Sequence, residues 1–187
     1  APVVKPNSLD KFTFIELFAG IGGFRLGLTR AGGRHLYSND WDKFAHKTYV
    51  SWFGEEGVDF GDIREIKNYS SLPDHDVLSA GFPCQPYSIA GLRQGLGDEK
   101  GRGQVFLSIL DILKKAQPKA FMLENVKGML SHDGGQTVAF MCTELAKQGY
   151  NVQQPTVLNS MIHGGVPQNR ERVFIVGFRK DLGPKLA

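Results

Sequence analysis

The 187-residue sequence predicts one α/β domain built on a mostly parallel β-sheet. Short apolar runs alternate with stretches of helical spacing along the whole chain. The first apolar run passes directly into a glycine-rich turn and then a helix. The helical stretches are closed by glycine or proline, which punctuates the chain into strand–helix units.

Residues 12–18 (FTFIELF) are the first expected strand, stopped by the glycines of 19–23. Residues 24–31 carry a helix that ends at Gly32 and Gly33. A second short strand is expected at 35–38, a second helix with several aromatics at 41–53, and a brief third strand at 58–60. Residues 76–80 (DVLSA) are the fourth strand, followed by a loop rich in Gly and Pro. Val105, Ile109, Ile112 and Leu113 give 104–116 helical spacing, and Pro118 closes it. Residues 120–124 (AFMLE) are a buried fifth strand, and 136–147 a helix closed by Gly149. The last two strands are expected at 150–158 and 173–178. With four glycines and little apolar content, 92–103 is expected to be a mobile loop suited to an active-site lid. Residues 1–10 are expected to be a flexible lead-in.

The length fits one domain with a substantial core. Hydrophobic residues make up 41% and charged residues 22%, ordinary values for a soluble protein, and no apolar run approaches a membrane span. The N-terminus lacks the basic-then-apolar pattern of a secretory signal, so a cytoplasmic protein is expected. Two separated cysteines, Cys84 and Cys142, make neither a disulfide framework nor a zinc site, and no metal is expected. A net charge of +3 permits nucleic-acid binding without arguing for it.

Strand, then Gly20-Ile21-Gly22-Gly23, then helix is the arrangement of a nucleotide-binding first turn. Asp40, twenty residues after Gly20, ends the second expected strand, where a carboxylate can accept from ribose hydroxyls. A dinucleotide fingerprint needs a third glycine where this chain has Arg25. S-adenosylmethionine carries a ribose and adenine but no phosphate, and suits this departure. By themselves these residues also fit a plain tight turn and a capping acid.

Gly81-Phe82-Pro83-Cys84-Gln85-Pro86-Tyr87-Ser88 follows the fourth strand, at the sheet end where α/β proteins bind ligands. Pro83 and Pro86 keep the segment out of helix and sheet, which favours a thiol presented by Cys84 on a rigid loop over the alternative, an inert loop thiol. A nucleophilic cysteine needs nearby positive charge, for which Arg93, Arg102, Arg170 and Arg172 are candidates. Cys142 lies in a helical stretch and reads as core. Glu124 leaves a buried strand at the same sheet end. Desolvation favours its protonated form, as suits an acid that protonates a ring nitrogen. It equally fits a capping acid. Arg170 and Arg172 share a face if their segment is extended, and can donate to a base or phosphate, though the segment taken alone fits a solvated charged strand end better.

Taken together these motifs resemble the DNA (cytosine-5)-methyltransferase family, most closely its bacterial restriction–modification type. The matching stretches run in family order from Phe14 to Phe178. They are Phe18-Ala-Gly-Ile-Gly-Gly23, Phe82-Pro83-Cys84-Gln85, Glu124-Asn125-Val126, and the later Gln168-x-Arg170-x-Arg172. The resemblance implies a Rossmann-like methyltransferase fold with one antiparallel strand in the mostly parallel sheet. It implies S-adenosylmethionine as methyl donor and double-stranded DNA as substrate.

It also implies roles. Cys84 adds to carbon 6 of a flipped cytosine; Glu124 holds and protonates N3; Arg172 lies on the O2 side; Arg170 supports the thiolate. Pro83 and the Phe82 carbonyl line the base pocket, with Gln85 and Ser88 beside the DNA. For the cofactor, Phe18, Gly20 and Gly23 match the turn, Asp40 the ribose acid and Trp41 the ring stacked on adenine. Asp62 and Ile63 match the adenine-contacting pair, and Val105 a contact nearby.

The family more often has Glu at the position of Asp40. Family members also continue beyond the last strand into a small target-recognition region. That region is expected to be absent here, and to be supplied by a longer chain or a second subunit. The rival readings are a transfer-RNA methyltransferase, an inactive assembly subunit and, disfavoured by Arg25, a nicotinamide-dependent dehydrogenase.

Overall fold

The computed structural model describes residues 10–66, 69–83 and 103–183. Eight strands and five α-helices alternate along them, joined by short 3-10 turns. They are β1 (Phe12–Leu17), α1 (Gly23–Arg30), β2 (Gly33–Asp40), α2 (Lys43–Phe53), β3 (Val58–Phe60) and β4 (Val77–Ala80). There follow α3 (Gly103–Ala116), β5 (Ala120–Val126), α4 (Gln136–Lys147), β6 (Tyr150–Val152), β7 (Thr156–Asn159), α5 (Ser160–His163) and β8 (Glu171–Arg179). The strand order is β3-β2-β1-β4-β5-β8-β6, with β7 also paired to β8. The β1–β2, β2–β3, β1–β4 and β4–β5 pairs are parallel. Strand β8 pairs antiparallel with β5, β6 and β7. One strand therefore runs against all the others, as the resemblance implies.

The chain winds outward from β1 in both directions, to β2 and β3 on one side and to β4 and β5 on the other. The crevice between β1 and β4 is therefore a topological switch point, where helices on opposite faces leave an opening above the strand ends. Strand register sorts the side chains. Ile15, Leu78 and Phe121 lie opposite one another, as do Leu17, Ala80 and Leu123. They pack with Phe106, Ile109 and Leu113 of α3 and with Met141 and Leu145 of α4 as the main core. Alternation then sends Glu16, Ser79 and Glu124 to the other face. There Tyr49 of α2 closes over Glu16.

The structure revises several expected boundaries. Helix α2 starts at Lys43, because the Asp42 carboxylate caps it, accepting from the Phe44 and Ala45 N–H groups. Trp41 is therefore left on the preceding turn. Strand β2 begins at Gly33 and runs on to Asp40, so only Gly32 of the expected helix stop lies between α1 and the next strand. The expected strand at 150–158 is two strands, broken at 153–155 where Pro155 lacks an N–H for the ladder. Val152 pairs with Gly177 but Thr156 with Phe174, so the bend holds one residue more than β8 does, as at a β-bulge. Cys142 is half-buried against the core, where burial pushes its thiol pKa up. Among the described residues no helix is long and apolar enough to cross a membrane.

Candidate active site

The glycine turn is held open by backbone geometry that few residues tolerate. Phe18, just past β1, takes φ 55°, rare for an aromatic side chain, and Gly20 and Gly22 follow at 56° and 90°. Gly22 is needed twice, because a Cβ there would also overlap the Phe53 ring of α2. By contrast, a Cβ on Gly20 or Gly23 would meet nothing within 4 Å. Those two positions border free space that a ligand can enter.

Asp40 closes this turn from the end of β2. Its Oδ2 accepts from Gly20 N at 2.7 Å and its Oδ1 from Asp42 N at 2.8 Å, while Asn39 O accepts from Ala19 N at 3.0 Å. The acid expected at the ribose is thus also the staple of the turn. A carboxylate offers about four acceptor sites, so two remain for ligand hydroxyls.

Beside it, the Trp41 ring is 62% exposed and lies 5.9 Å from the Arg64 guanidinium carbon. Arg64 Nε in turn donates to both Asp62 oxygens at 2.9 and 3.0 Å, and this pairing holds the Asp62 carboxyl below the usual carboxylate range. Asp62, Asn39, Asp59, Gly61 and Ser71 help line an open cleft of about 330 Å³ next to these groups. Ile63 is different. Its side chain is 2% exposed within the main core, so only its backbone can face a ligand in this cleft.

Across the switch point, β4 delivers Gly81, Phe82 and Pro83. A Cβ placed on Gly81 would lie 3.5 Å from Glu124 Oε2, 3.7 Å from the Phe24 ring and 3.9 Å from the Phe18 carbonyl. The glycine turn, the end of β4 and the acid of β5 therefore meet at one point. Glu124 is not an isolated desolvated acid: its Oε1 is 2.9 Å from Arg172 Nε, with both side chains about one-fifth exposed. Register explains the pair. Phe174 lies opposite Glu124 and Arg172 opposite Val126, which makes Glu124 and Arg172 diagonal neighbours on antiparallel strands.

Arg170 precedes β8 rather than joining it, and its side chain is exposed. The shared strand face expected for the two arginines is thus not formed by ladder pairing. Phe82 turns its ring into the core, 6.2 Å from Phe106, and its carbonyl accepts from Asn125 Nδ2 at 3.1 Å. That carbonyl, expected to face a base, is thus already engaged on one side. Pro83 is exposed, and Val105 packs partly buried against the core in the first turn of α3. Cys84, Gln85, Ser88, Arg93 and Arg102 lie outside the described residues, as does 92–102 of the expected lid.

Asn125 and Arg64 carry geometry that sequence reasoning did not assign. Asn125 is 2% exposed and ties the β5 end to the start of the cysteine segment. A polar residue directly after Glu124 in an apolar strand was the available signal. Arg64 had none, because one arginine in a polar turn looks like any other. Among the described residues no cluster of three or more His, Cys, Asp or Glu is placed to hold a metal ion.

A stapled glycine turn, an exposed tryptophan beside an open cleft, and an acid–arginine pair stand around one switch point of an α/β domain, the place where such sheets bind ligands. The family model described as C-5 cytosine-specific DNA methylase matches residues 12–187, and the chain belongs to that family. The type II methyltransferase M.HpaII of Haemophilus parainfluenzae is 47% identical over 97% of this chain and 50% of its own length. The type II methyltransferase M.NgoBI of Neisseria gonorrhoeae is 50% identical over 90% of this chain and 51% of its own. The chain thus spans about half the length of these relatives. The Dnmt2 methyltransferase of S. pombe shares the fold, with a TM-score of 0.70 at 22% identity over 90% of this chain and 49% of that one.

Proposed function

We propose that the protein containing this chain transfers a methyl group from S-adenosylmethionine to carbon 5 of cytosine in double-stranded DNA, through a covalent cysteine–base intermediate. The observation that carries this reading is the meeting point around Gly81. The Glu124–Arg172 pair and the carbonyl of the glycine turn stand together there, three residues before Cys84. Family membership supports the reaction class.

The donor site fits the chain's own residues. Gly20 and Gly23 leave room, Asp40 keeps acceptor sites free, and Trp41 presents an open ring beside the cleft. S-adenosylmethionine bound there supplies the methyl group. The Cys84 thiolate forms a bond to carbon 6 of the base, and electron density moves to carbon 5. Glu124, steadied by Arg172, hydrogen-bonds N3 and gives it a proton as charge builds on the ring. Once carbon 5 is methylated its proton leaves to water, the electron pair expels Cys84 as thiolate, and N3 returns its proton to Glu124. Asn125 keeps the Phe82 carbonyl in place just beyond β4.

In this reading Arg170 supports the thiolate, and Pro83, Gln85 and Ser88 border the base and its DNA. Flipping a base costs a few kcal/mol, recovered by contacts on both sides of the duplex. Target recognition is assigned to a further portion or a second chain, a reading supported by the twofold length of the relatives. The test supplies labelled S-adenosylmethionine with duplex DNA or transfer RNA, with and without the remaining half supplied from a relative. Label on cytosine carbon 5 of DNA, strongest with both halves present, is expected. Label on transfer RNA alone, or none in any mixture, overturns the proposal.

A further inference from the structure

Two residues before the strained Phe18, β1 buries a carboxylate completely, and the mechanism above does not use it. Glu16 is 0% exposed. Its Oε1 accepts from the Tyr49 hydroxyl of α2 and from Ser38 Oγ of β2 at 3.0 Å, and its Oε2 accepts from Arg25 N of α1 at 3.0 Å. His35 Nε2 stands 2.6 Å behind Ser38 Oγ. The Arg25 guanidinium donates to the Tyr49 oxygen at 3.2 Å and lies 4.7 Å from the centre of the Phe53 ring. Ser38 Oγ and the Tyr49 hydroxyl also touch each other, so Arg25, His35, Ser38 and Tyr49 form one connected polar group around the Glu16 carboxylate.

The two helices held this way carry the two sides of the donor site. Helix α1 starts behind Gly22, which has no side chain to cap it. Glu16 supplies from the strand the acceptor, and the negative charge, that an N-cap residue normally provides. Helix α2 is held through Tyr49, and Asp40 and Trp41 lie directly before its start. We propose that Glu16 is a positioning residue for methyl-donor binding: its carboxylate fixes α1 against α2 and so sets the spacing between the Gly20 turn and the Asp40–Trp41 corner. The inference rests on the reading of this corner as the donor site.

Glutamate is specifically suited to the role. A carboxylate has two acceptor oxygens and no donor, and three donors converge on it. A glutamine keeps only one acceptor oxygen, so its NH₂ must face either the Arg25 N–H or the two hydroxyls, which would then have to turn round and accept. The ionisable and charged groups facing Glu16 are Arg25 from α1, His35 from β2 and Tyr49 from α2. Burial lowers the His35 pKa to about 3, so His35 stays neutral through the working range, and burial raises the Tyr49 hydroxyl so that it keeps its proton. Burial also raises Glu16 from 4.5 to about 7, so its charge is lost as pH falls through neutrality.

The experiment uses the full-length protein containing this chain. Calorimetry measures S-adenosylhomocysteine binding at about pH 8 and about pH 6 to the wild type, Glu16→Gln and Tyr49→Phe, and steady-state assays give KM for donor and for DNA. At the higher pH, Glu16→Gln should weaken binding about tenfold and Tyr49→Phe about threefold, with KM for DNA unchanged. The wild type should lose affinity on acidification, and Glu16→Gln should show a flat profile. Wild-type affinity in both variants, or the same pH profile in Glu16→Gln as in the wild type, overturns the inference. If Glu16→Gln does not fold, Tyr49→Phe decides alone, and unchanged affinity there is fatal. A wild type that binds no S-adenosylhomocysteine overturns the donor-site reading itself, and the positioning role with it.

Discussion

Glu16 and Glu124 stand on the same face of the sheet, on strands that both flank β4, and they live in opposite surroundings. Glu16 is sealed, and α1, α2 and β2 each contribute one donor to it. Glu124 is partly open to solvent, has one cationic partner in Arg172, and turns its second oxygen toward Gly81. A buried carboxylate without partners costs several kcal/mol, so an acid kept inside the fold must have its donors built in. An acid that reacts must instead keep an oxygen free. The two regions around them follow the same division. In the β1–α1–β2–α2 half the buried polar groups around Glu16 bond to one another. Around β8 every residue from 161 to 170 is exposed, including Ile162 at 71%.

Four measurements sharpen or break this division, from the largest effect down. Cys84→Ser should reduce methyl transfer to background in the complete protein while leaving its circular dichroism unchanged, since a hydroxyl is a far poorer nucleophile than a thiolate. Near-normal turnover would remove the reacting half of the comparison. Glu124→Gln should lower kcat by about 10²–10⁴-fold with little change in donor affinity, because the amide cannot supply the proton. A donor-affinity loss as large as the kcat loss would put Glu124 in the holding class with Glu16.

The third measurement concerns stability. Because burial raises Glu16 from 4.5 to about 7, the folded state prefers the protonated acid. That contribution is fully present below about pH 4.5 and is lost as pH rises through about 7, on the order of 3 kcal/mol in all. Thermal melts of wild type and Glu16→Gln should therefore diverge in favour of the glutamine variant between about pH 5 and about pH 8. A pH-independent difference would mean that the site does not penalise charge. Binding and stability then pull on Glu16 in opposite directions, the usual trade at a functional site. The smallest effect is expected from Trp41→Ala, which removes one exposed stacking face and should cost about 1 kcal/mol of donor affinity, read by calorimetry. No loss at all would move the adenine away from this corner.

Much of the donor side was legible because its signals are local. Gly20 and Gly22 announce a turn, and the interval to Asp40 is the length of one helix and one strand. Asp40's second job, accepting from Gly20 N, was not legible, because spacing says two residues are near but not which lone pair is used. The boundary error at Trp41 has a similar origin. Aromatic periodicity continues through it, but the Asp42 cap decides where the helix begins. The role of Glu16 is not legible in the sequence, because one acid in an apolar strand does not reveal which helices will cover it.

By itself the sequence determined the order of the strands and helices apart from the β6–β7 break and the short α5, the glycine turn, the acid at the end of β5 and the family to which all of them belong. Those depend on apolar periodicity, on backbone conformations open only to particular residues, and on short motifs, and all three are written within a few residues. Only the tertiary structure decided that Glu124 pairs with Arg172, that Asn125 holds the Phe82 carbonyl, that Ile63 belongs to the core, and that Glu16 joins four elements. These contacts link residues from 9 to 48 positions apart, and it is strand register and helix docking that choose among the many partners each polar group could have taken.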